Sequence, residues 1–184
     1  MIDLPLSAWF HANPNPLATQ LMLLVTHWHS TTGVLAMSAV LALLLARWHK
    51  PWWLLALVLS VPGGMLVNAA VKHLVQRARP HFDDPVLTLT TYSFPSGHTA
   101  GAALFYGFLT ALVFAHPAAR RWRAAMASTA VVMVLLVGLS RIYLGVHYFT
   151  DVVGGIALAV LWLGLCLTVV RALWRHRGGG AVHG

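Results

Sequence analysis

The chain has few charged residues. Only 9% of its 184 residues are charged, whereas 59% are hydrophobic. A soluble domain of this length carries about a quarter charged residues. The composition therefore excludes an ordinary soluble domain and predicts a membrane protein that folds as one compact unit.

Acidic residues are especially scarce. The sequence has no glutamate and four aspartates, Asp3, Asp83, Asp84 and Asp151. An enzyme that uses two metal ions for phosphate chemistry needs several clustered carboxylates. Asp3 lies in the N-terminal segment, and Asp83 and Asp84 are neighbours in a loop. We therefore expect neither a metal ion nor another cofactor.

Five runs of the sequence are long and apolar enough to cross a bilayer core, which takes roughly 20 residues of helix. The first 30 residues differ, because prolines and histidines interrupt them and their longest apolar stretch is too short to span. We expect this part to be an interfacial segment on the membrane surface, with a sixth span over 17–28 as the alternative. The five runs cover residues 31–48, 52–71, 97–115, 124–139 and 152–173.

These runs predict an all-α fold, a polytopic transmembrane bundle of five spans. We expect residues 1–184 to form a single integral membrane domain. Its parts are the interfacial segment 1–30, the transmembrane core 31–173 and a C-terminal tail over 174–184.

Clusters of basic residues predict the orientation of the bundle. Lys and Arg collect in cytoplasmic loops. With alternating spans, the clusters at 47–50, 120–123 and 171–177 all fall on one side. We therefore expect a plasma (inner) membrane protein with a cytoplasmic C-terminus.

Four basic residues fall at the opposite, outer end of the spans: Lys72, Arg77, Arg79 and Arg141. In a soluble protein, an excess of basic residues would suggest nucleic acid. In a membrane bundle we expect no nucleic acid, and the outer cations indicate an anionic substrate instead. An arginine at the membrane edge also snorkels to the interface, and we assign that simpler role to Arg77.

Three short sequence patterns meet at the same outer end. The loops 81–94 and 142–148 lie on one side of the membrane, so the patterns that flank them can converge. The patterns are Lys72-His-Leu-Val-Gln-Arg-Ala-Arg79-Pro80, Pro95-Ser96-Gly97-His98, and Ser140-Arg141 followed by His147 and Asp151.

The first two patterns, together with Arg141 of the third, suit an oxyanion. Lys72, Arg79 and Arg141 supply cationic groups, and the planar fork of arginine donates two hydrogen bonds to one phosphate. Gly97 permits close backbone approach at the point where Ser96 opens a helix. A helix N-terminus offers N–H groups and a favourable dipole to an anion. Together these groups predict a cradle for a phosphoryl group.

The third pattern suits a nucleophile. His147 and Asp151 are four residues apart, so in a helix they lie on one face and the carboxylate can hold one ring nitrogen. The other nitrogen is then free to attack. His98 is left as the acid that protonates the departing oxygen.

Together the patterns resemble the signature of the type 2 phosphatidic acid phosphatase superfamily, K-x6-RP, PSGH and SR-x5-H-x3-D. Every signature position is matched between residues 72 and 151. The resemblance implies a membrane lipid phosphatase that needs no metal and forms a phosphohistidine. It implies that His147 is the nucleophile, His98 the general acid and Asp151 the partner of His147. It further implies that phosphate is bound by Lys72, Arg79, Ser96, Gly97 and Arg141.

The superfamily includes bacterial phosphatidylglycerophosphate and undecaprenyl diphosphate phosphatases. We therefore expect a membrane lipid phosphate as the substrate, with the two classes close to equal and a slight preference for the diphosphate. The partners are then the substrate and the bilayer, and no obligate protein partner is implied. The alternative is a lipid-phosphate transporter or flippase that uses the cationic cluster only for binding. Such a protein has no need for His98 or for the pair of His147 and Asp151.

Overall fold

The structure, a computed structural model, describes residues 3–177; residues 178–184 of the expected tail lie outside this range. The described residues form seven α-helices and one short 3-10 helix. In chain order the helices are α1 (Asp3–Ala12), α2 (Pro16–Trp28), α3 (Thr31–Arg47), α4 (Pro51–Val75), α5 (Gly97–Ala115), the 3-10 helix (Pro117–Trp122), α6 (Arg123–Tyr143) and α7 (Phe149–His176).

Capping residues set the starts of the first helices of the bundle. The side chain of Asn15 accepts a hydrogen bond from the Ala18 N–H group at 2.9 Å, and Pro16 occupies the first helical position. Ser30 accepts from the Gly33 N–H group at 3.2 Å. Both patterns satisfy N–H groups that a helix start leaves unpaired. The Ser30 cap therefore separates α2 from α3.

The expected all-α membrane bundle is confirmed. Four helices of the described chain are long and apolar enough to span a bilayer, namely α4, α5, α6 with its preceding 3-10 helix, and α7. α3 has only 17 residues, but α2 and α3 reach the required length as a pair bent by 51°. The described residues thus contain four spans, or five when this pair is one bent span.

The N-terminal 30 residues, which we expect to form an interfacial segment, contain the two helices α1 and α2. α1 is not part of any candidate span, and α2 belongs to one only when it is counted together with α3. α2 packs against α6 and α3. Thr26 and His29 of this region are buried, and the His29 ring is 2.9 Å from the Tyr106 hydroxyl of α5. A sixth span over 17–28 is not supported, because α2 has 13 residues and meets the length only together with α3.

The two ends of the bundle carry different residues. At one end, the Asn15 N–H group donates to the Tyr143 hydroxyl at 3.1 Å, which joins the start of α2 to the end of α6. At the other end, the Arg177 guanidinium lies 5.9 Å from the Trp52 ring centre, and Arg123 donates to the Phe114 carbonyl. The basic clusters therefore share the end opposite the 76–96 segment.

Helix α5 is the centre of the bundle. It packs against α3, α4, α6 and α7, and its residues from Thr99 to Phe105 are all buried. In contrast, Leu43, Leu66 and Leu161 are 72%, 72% and 74% exposed, which is the expected state of side chains that face lipid. Small residues on α5 suit this position, because membrane helices associate through close packing.

A close backbone contact joins α7 to the start of α5. A Cβ atom on Gly155 would lie 2.7 Å from the Ser96 carbonyl oxygen. One turn earlier in α7, the Asp151 carbonyl accepts a hydrogen bond from the Ser96 N–H group at 3.0 Å. Only glycine at position 155 permits this approach, so the contact fixes where α5 begins relative to α7.

This contact predicts that Gly155→Ala destabilises the bundle. The added methyl group meets a backbone oxygen that cannot rotate away, and overpacking of this kind costs about 1–3 kcal/mol. Gly164→Ala on the same helix is the matched control, because nothing lies within 4 Å of its added Cβ. We expect a lower thermal unfolding midpoint for Gly155→Ala only. Equal midpoints for the two variants would contradict the contact.

The basic clusters predict the sidedness of the protein. If the bent pair is one span, the chain crosses the membrane five times and its termini lie on opposite sides. Because lysine and arginine collect in cytoplasmic loops, we expect the basic end to face the cytoplasm. We expect a reporter fused after Gly184 to read cytoplasmic and a reporter at Met1 to read outside. A C-terminal reporter that reads outside would reverse the orientation.

Candidate active site

The predicted site residues lie on segments that meet at one end of the bundle. These segments are the end of α4, the 76–96 segment, the first turn of α5, the end of α6 and the first turn of α7. Hydrogen bonds connect them, since the Ser93 N–H group donates to the Arg77 carbonyl and the Ser96 N–H group donates to the Asp151 carbonyl. The sequence patterns therefore converge.

His147 lies in the short connection between α6 and α7. Gly145 turns the chain there with a φ of 69°, in the left-handed region that glycine adopts without strain. The His147 N–H group donates to the Arg141 carbonyl at 3.3 Å, and the side chain is only 2% exposed. This histidine is held on both its backbone and its side chain.

Two groups fix the orientation of the His147 ring. Its Nδ1 lies 3.3 Å from Oδ2 of Asp151, and its Nε2 lies 3.2 Å from Nη1 of Arg79. Arginine has only donors, so Nε2 must be the acceptor. The ring proton is therefore on Nδ1, which donates to the carboxylate. The lone pair of Nε2 points towards a cation.

The surroundings of His147 favour the neutral ring. Burial lowers the pKa of His147 to about 4, and the Arg79 and Arg141 guanidinium groups act in the same direction. The hydrogen bond to Asp151 opposes this shift without reversing it. At neutral pH the imidazole is unprotonated at Nε2, which is the state that a nucleophile requires.

Asp151 is fully buried at the start of α7. Its Oδ2 accepts from the Tyr148 N–H group at 2.9 Å and from the Ser93 hydroxyl. Its Oδ1 accepts from Nη1 of Arg77 at 2.7 Å. His147 precedes α7, so the contact of the histidine with Asp151 arises from this capping arrangement and not from a shared helix face.

Two further residues of this cluster, Arg77 and Ser93, were not predicted as site residues from the sequence. Arg77 was assigned to the membrane interface, yet its guanidinium forms an ion pair with Asp151. A signal for such a partner did exist, because a buried carboxylate requires compensating charge and hydrogen bonds. The sequence did not indicate which of the four outer cations supplies them.

Two cations of the predicted cradle, Arg79 and Lys72, donate to backbone carbonyls. Nη1 of Arg79 donates to the Val146 carbonyl at 2.7 Å, and Nζ of Lys72 donates to the Tyr92 carbonyl at 2.7 Å. Lys72 is also within electrostatic reach of Arg79 and Arg141. Clustered cations of this kind create a strong positive potential for an anion.

Arg141 is buried at the end of α6, with 2% of its surface exposed. Its Nη1 donates to the Thr26 hydroxyl of α2. Its Nε finds no hydrogen-bond partner within residues 3–177. A buried donor without a partner is costly, and a phosphate oxygen is a suitable acceptor for it.

The first turn of α5 completes the cluster. Ser96 is the N-cap residue, and within the described chain its side chain makes no capping hydrogen bond; its hydroxyl lies 3.0 Å from the Thr99 hydroxyl instead. Gly97 follows, and a Cβ there would contact Oδ1 of Asn68 at 3.4 Å. His98 is within electrostatic reach of Arg141, His147 and Arg79. A helix start of this kind has free N–H groups that can bind an anion.

The comparisons with known proteins agree with the signature. Residues 53–175 match the PAP2 superfamily. The chain is 32% identical to phosphatidylglycerophosphatase B of Bacillus subtilis over 147 residues, which cover 79% of this chain and 72% of the relative. It is 34% identical to decaprenylphosphoryl-5-phosphoribose phosphatase of Mycobacterium tuberculosis, over 68% of this chain and 65% of the relative.

A solved structure shares the fold. The crystal structure of a transmembrane PAP2-type phosphatidylglycerolphosphate phosphatase from Bacillus subtilis has a TM-score of 0.84 and 29% sequence identity with this chain. The alignment covers 93% of this chain and 85% of that structure. The family match covers well over half of the sequence and includes all three patterns. The chain belongs to the PAP2 superfamily and is a multi-pass membrane lipid phosphatase, a hydrolase of lipid phosphate esters.

Proposed function

We propose that His147 is the nucleophile of a metal-independent phosphatase reaction. The observation that carries this proposal is the orientation of the ring, with Nδ1 at Asp151 and Nε2 facing Arg79. When the substrate binds, Arg79 exchanges its hydrogen bond to Nε2 for one to a phosphoryl oxygen, which frees the Nε2 lone pair. Nε2 attacks the terminal phosphorus, the bond from phosphorus to the lipid oxygen breaks, and a phosphohistidine forms. Water then attacks the phosphorus, the P–N bond breaks and inorganic phosphate leaves.

The phosphoryl oxygens bind in the cradle opposite His147. Lys72, Arg79 and Arg141 neutralise their charge, and Ser96 and Gly97 bring the start of α5 to them. The free Nε of Arg141 supports this proposal, because it is a buried donor that needs an acceptor. Cations and N–H groups that are fixed in advance stabilise the extra charge of the transition state.

His98 protonates the lipid oxygen as it departs. His98 lies in the first turn of α5, and its ring interacts electrostatically with His147, Arg79 and Arg141, which supports this role. In the second step His98 takes a proton from the attacking water, so the protein returns to its starting state. Asp151 stabilises the charge that develops on His147 during attack, as the carboxylate of a catalytic triad does.

The substrate that we propose first is a glycerophospholipid with a terminal phosphate monoester. The Bacillus subtilis relative is a phosphatidylglycerophosphatase and covers more of this chain than the mycobacterial relative does. This likeness favours phosphatidylglycerophosphate over the diphosphate that the sequence slightly preferred. Undecaprenyl diphosphate is the second candidate. We place the reaction at the outer face of the plasma membrane, because the basic clusters lie at the opposite end of the bundle.

Substitution of the two histidines separates their roles and the two substrates. His147→Ala should abolish turnover of both lipids, because no P–N bond can form. A monoester expels an alkoxide, so His98→Ala should lower its kcat/KM by about 10²–10⁴-fold. A diphosphate expels a stable phosphate anion, so the kcat/KM of His98→Ala for the diphosphate should fall far less. The measurement is phosphate release in EDTA from phosphatidylglycerophosphate and undecaprenyl diphosphate.

Three results would contradict this account. Turnover by His147→Ala at the wild-type rate would remove the nucleophile. Equal losses on both lipids in His98→Ala would mean that His98 binds the phosphoryl group instead of protonating the leaving oxygen. Activity that is lost in EDTA and restored by magnesium would replace the histidine mechanism with a metal mechanism.

A further inference from the structure

Arg77 neutralises the buried partner of the nucleophile. Within residues 3–177 it is the one arginine or lysine in an ion pair with Asp151, at 2.7 Å between Nη1 and Oδ1. Nζ of Lys72 donates to the Tyr92 carbonyl instead. Arg79 donates to backbone carbonyls, to the Thr91 hydroxyl and to Nε2 of His147. The carboxylate thus offers Oδ2 to His147 and Oδ1 to Arg77. Removing Arg77 would leave a buried charge without its cation.

The protein itself occupies both Nη groups of Arg77. Nη1 also donates to the Thr150 hydroxyl at 2.6 Å, and Nη2 donates to Oδ2 of Asp3 at 2.9 Å. The guanidinium lies over the Tyr148 ring, 4.2 Å from its centre. Arg77 is therefore held in a fixed position, which distinguishes it from an arginine that snorkels to the interface.

Asp3 connects this arrangement to the N-terminal helix. Its carboxylate accepts from the Thr150 N–H group at 3.0 Å and from the Thr150 hydroxyl at 2.7 Å, so it caps the first turn of α7. The far end of α1 is attached as well, because Nε2 of His11 is 2.8 Å from Asp84 and the His11 ring stacks on Phe82 at 4.3 Å. Helix α1 thus crosses the segments that carry the site.

We propose that Arg77 is a positioning residue for the phosphatase reaction, and that Asp3 of α1 holds Arg77 in place. Arg77 fixes Asp151 so that Oδ2 faces Nδ1 of His147, and Asp3 prevents the guanidinium from turning towards the phosphate or the solvent. This inference rests on the proposed role of His147 as the nucleophile. It gives the N-terminal helix a part in the reaction, although α1 contributes no group to the phosphate cradle.

The charge of Arg77 also affects the protonation of His147. The charged and titratable groups that face His147 are Asp151 of α7, Arg79 of the 76–96 segment, Arg141 of α6 and His98 of α5. Without Arg77 the carboxylate attracts the imidazolium more strongly, so the pKa of His147 rises. The nucleophile must be neutral, so the acidic limb of the kcat/KM profile then moves to higher pH.

The test compares Arg77→Gln, Arg77→Lys and Arg120→Gln on the lipid phosphate that the wild type hydrolyses. Arg77→Gln should lower kcat by about 10–100-fold, the size of loss seen when a residue that orients a metal-binding side chain is removed. KM should stay within about twofold of the wild-type value. Its acidic limb should move to higher pH. Arg77→Lys keeps the charge, so the limb should stay in place. Arg120 is exposed at the opposite end and serves as the matched control.

The role of Asp3 is tested in the same assay. Asp3→Asn should lower kcat by about two- to fivefold, the range for a partly exposed ion pair, whereas Asp83→Asn in the exposed loop should not. In a double-mutant cycle, Asp3→Asn should have no further effect once Arg77 is glutamine. If Arg77→Gln does not fold, Asp3→Asn carries the test, and equal kcat for Asp3→Asn and Asp83→Asn would overturn the proposal.

His147→Ala separates failure of this inference from failure of the proposed function. Wild-type kcat and pH profile in Arg77→Gln, beside an inactive His147→Ala, would overturn the positioning role and leave the nucleophile in place. A loss of kcat in Arg77→Gln without a shift of the acidic limb would indicate a general structural effect and would also overturn it. Turnover by His147→Ala would instead remove the proposed mechanism.

Discussion

The buried carboxylate of Asp151 is the group on which the arrangement of the site depends. It accepts hydrogen bonds from the Tyr148 N–H group, the Ser93 hydroxyl and Nη1 of Arg77, and it contacts the His147 ring. These donors come from two different parts of the chain, the 76–96 segment and the start of α7. An unpaired carboxylate in this position would cost several kcal/mol, so the segments are held where they satisfy it.

The site contains more positive than negative side chains, and the pairing of Asp151 determines which cations remain unneutralised. Asp151 and Arg77 form one pair, and Arg77 is shared with Asp3. Lys72, Arg79 and Arg141 are then left with a net positive charge at the end of the bundle. In the proposed reaction, a phosphoryl group supplies the missing negative charge. The substrate would then bind to groups that repel one another in its absence, and cations held close together in this way stabilise the charge of a transition state.

Sequence patterns predicted the parts of this structure that are determined by residues close together in the sequence. The apolar run at 97–115 forms α5 as predicted. Pro95 and Pro117 bound this run, so the positions at which a helix can begin and end are restricted. The contact of His147 with Asp151 is present as predicted, although it arises from the cap at the start of α7 and not from a shared helix face. The bent pair of α2 and α3 was not predicted. Neither helix alone is long enough to be a candidate span, and the Ser30 cap separates them. The bonds from Arg77 to Asp3 and from Arg141 to Thr26 link residues far apart in sequence, and a single sequence carries no information about which distant polar groups pair.

The central claim is that phosphate is transferred to His147, and the intermediate itself provides the most direct test. A phosphate bound to a histidine nitrogen is labile in acid and stable in alkali. Protein quenched during turnover of a lipid labelled in its terminal phosphate should carry label with this stability on His147. His147→Ala, quenched in the same way, should carry none. Absence of label in an active wild-type enzyme, or label that resists acid, would contradict the account.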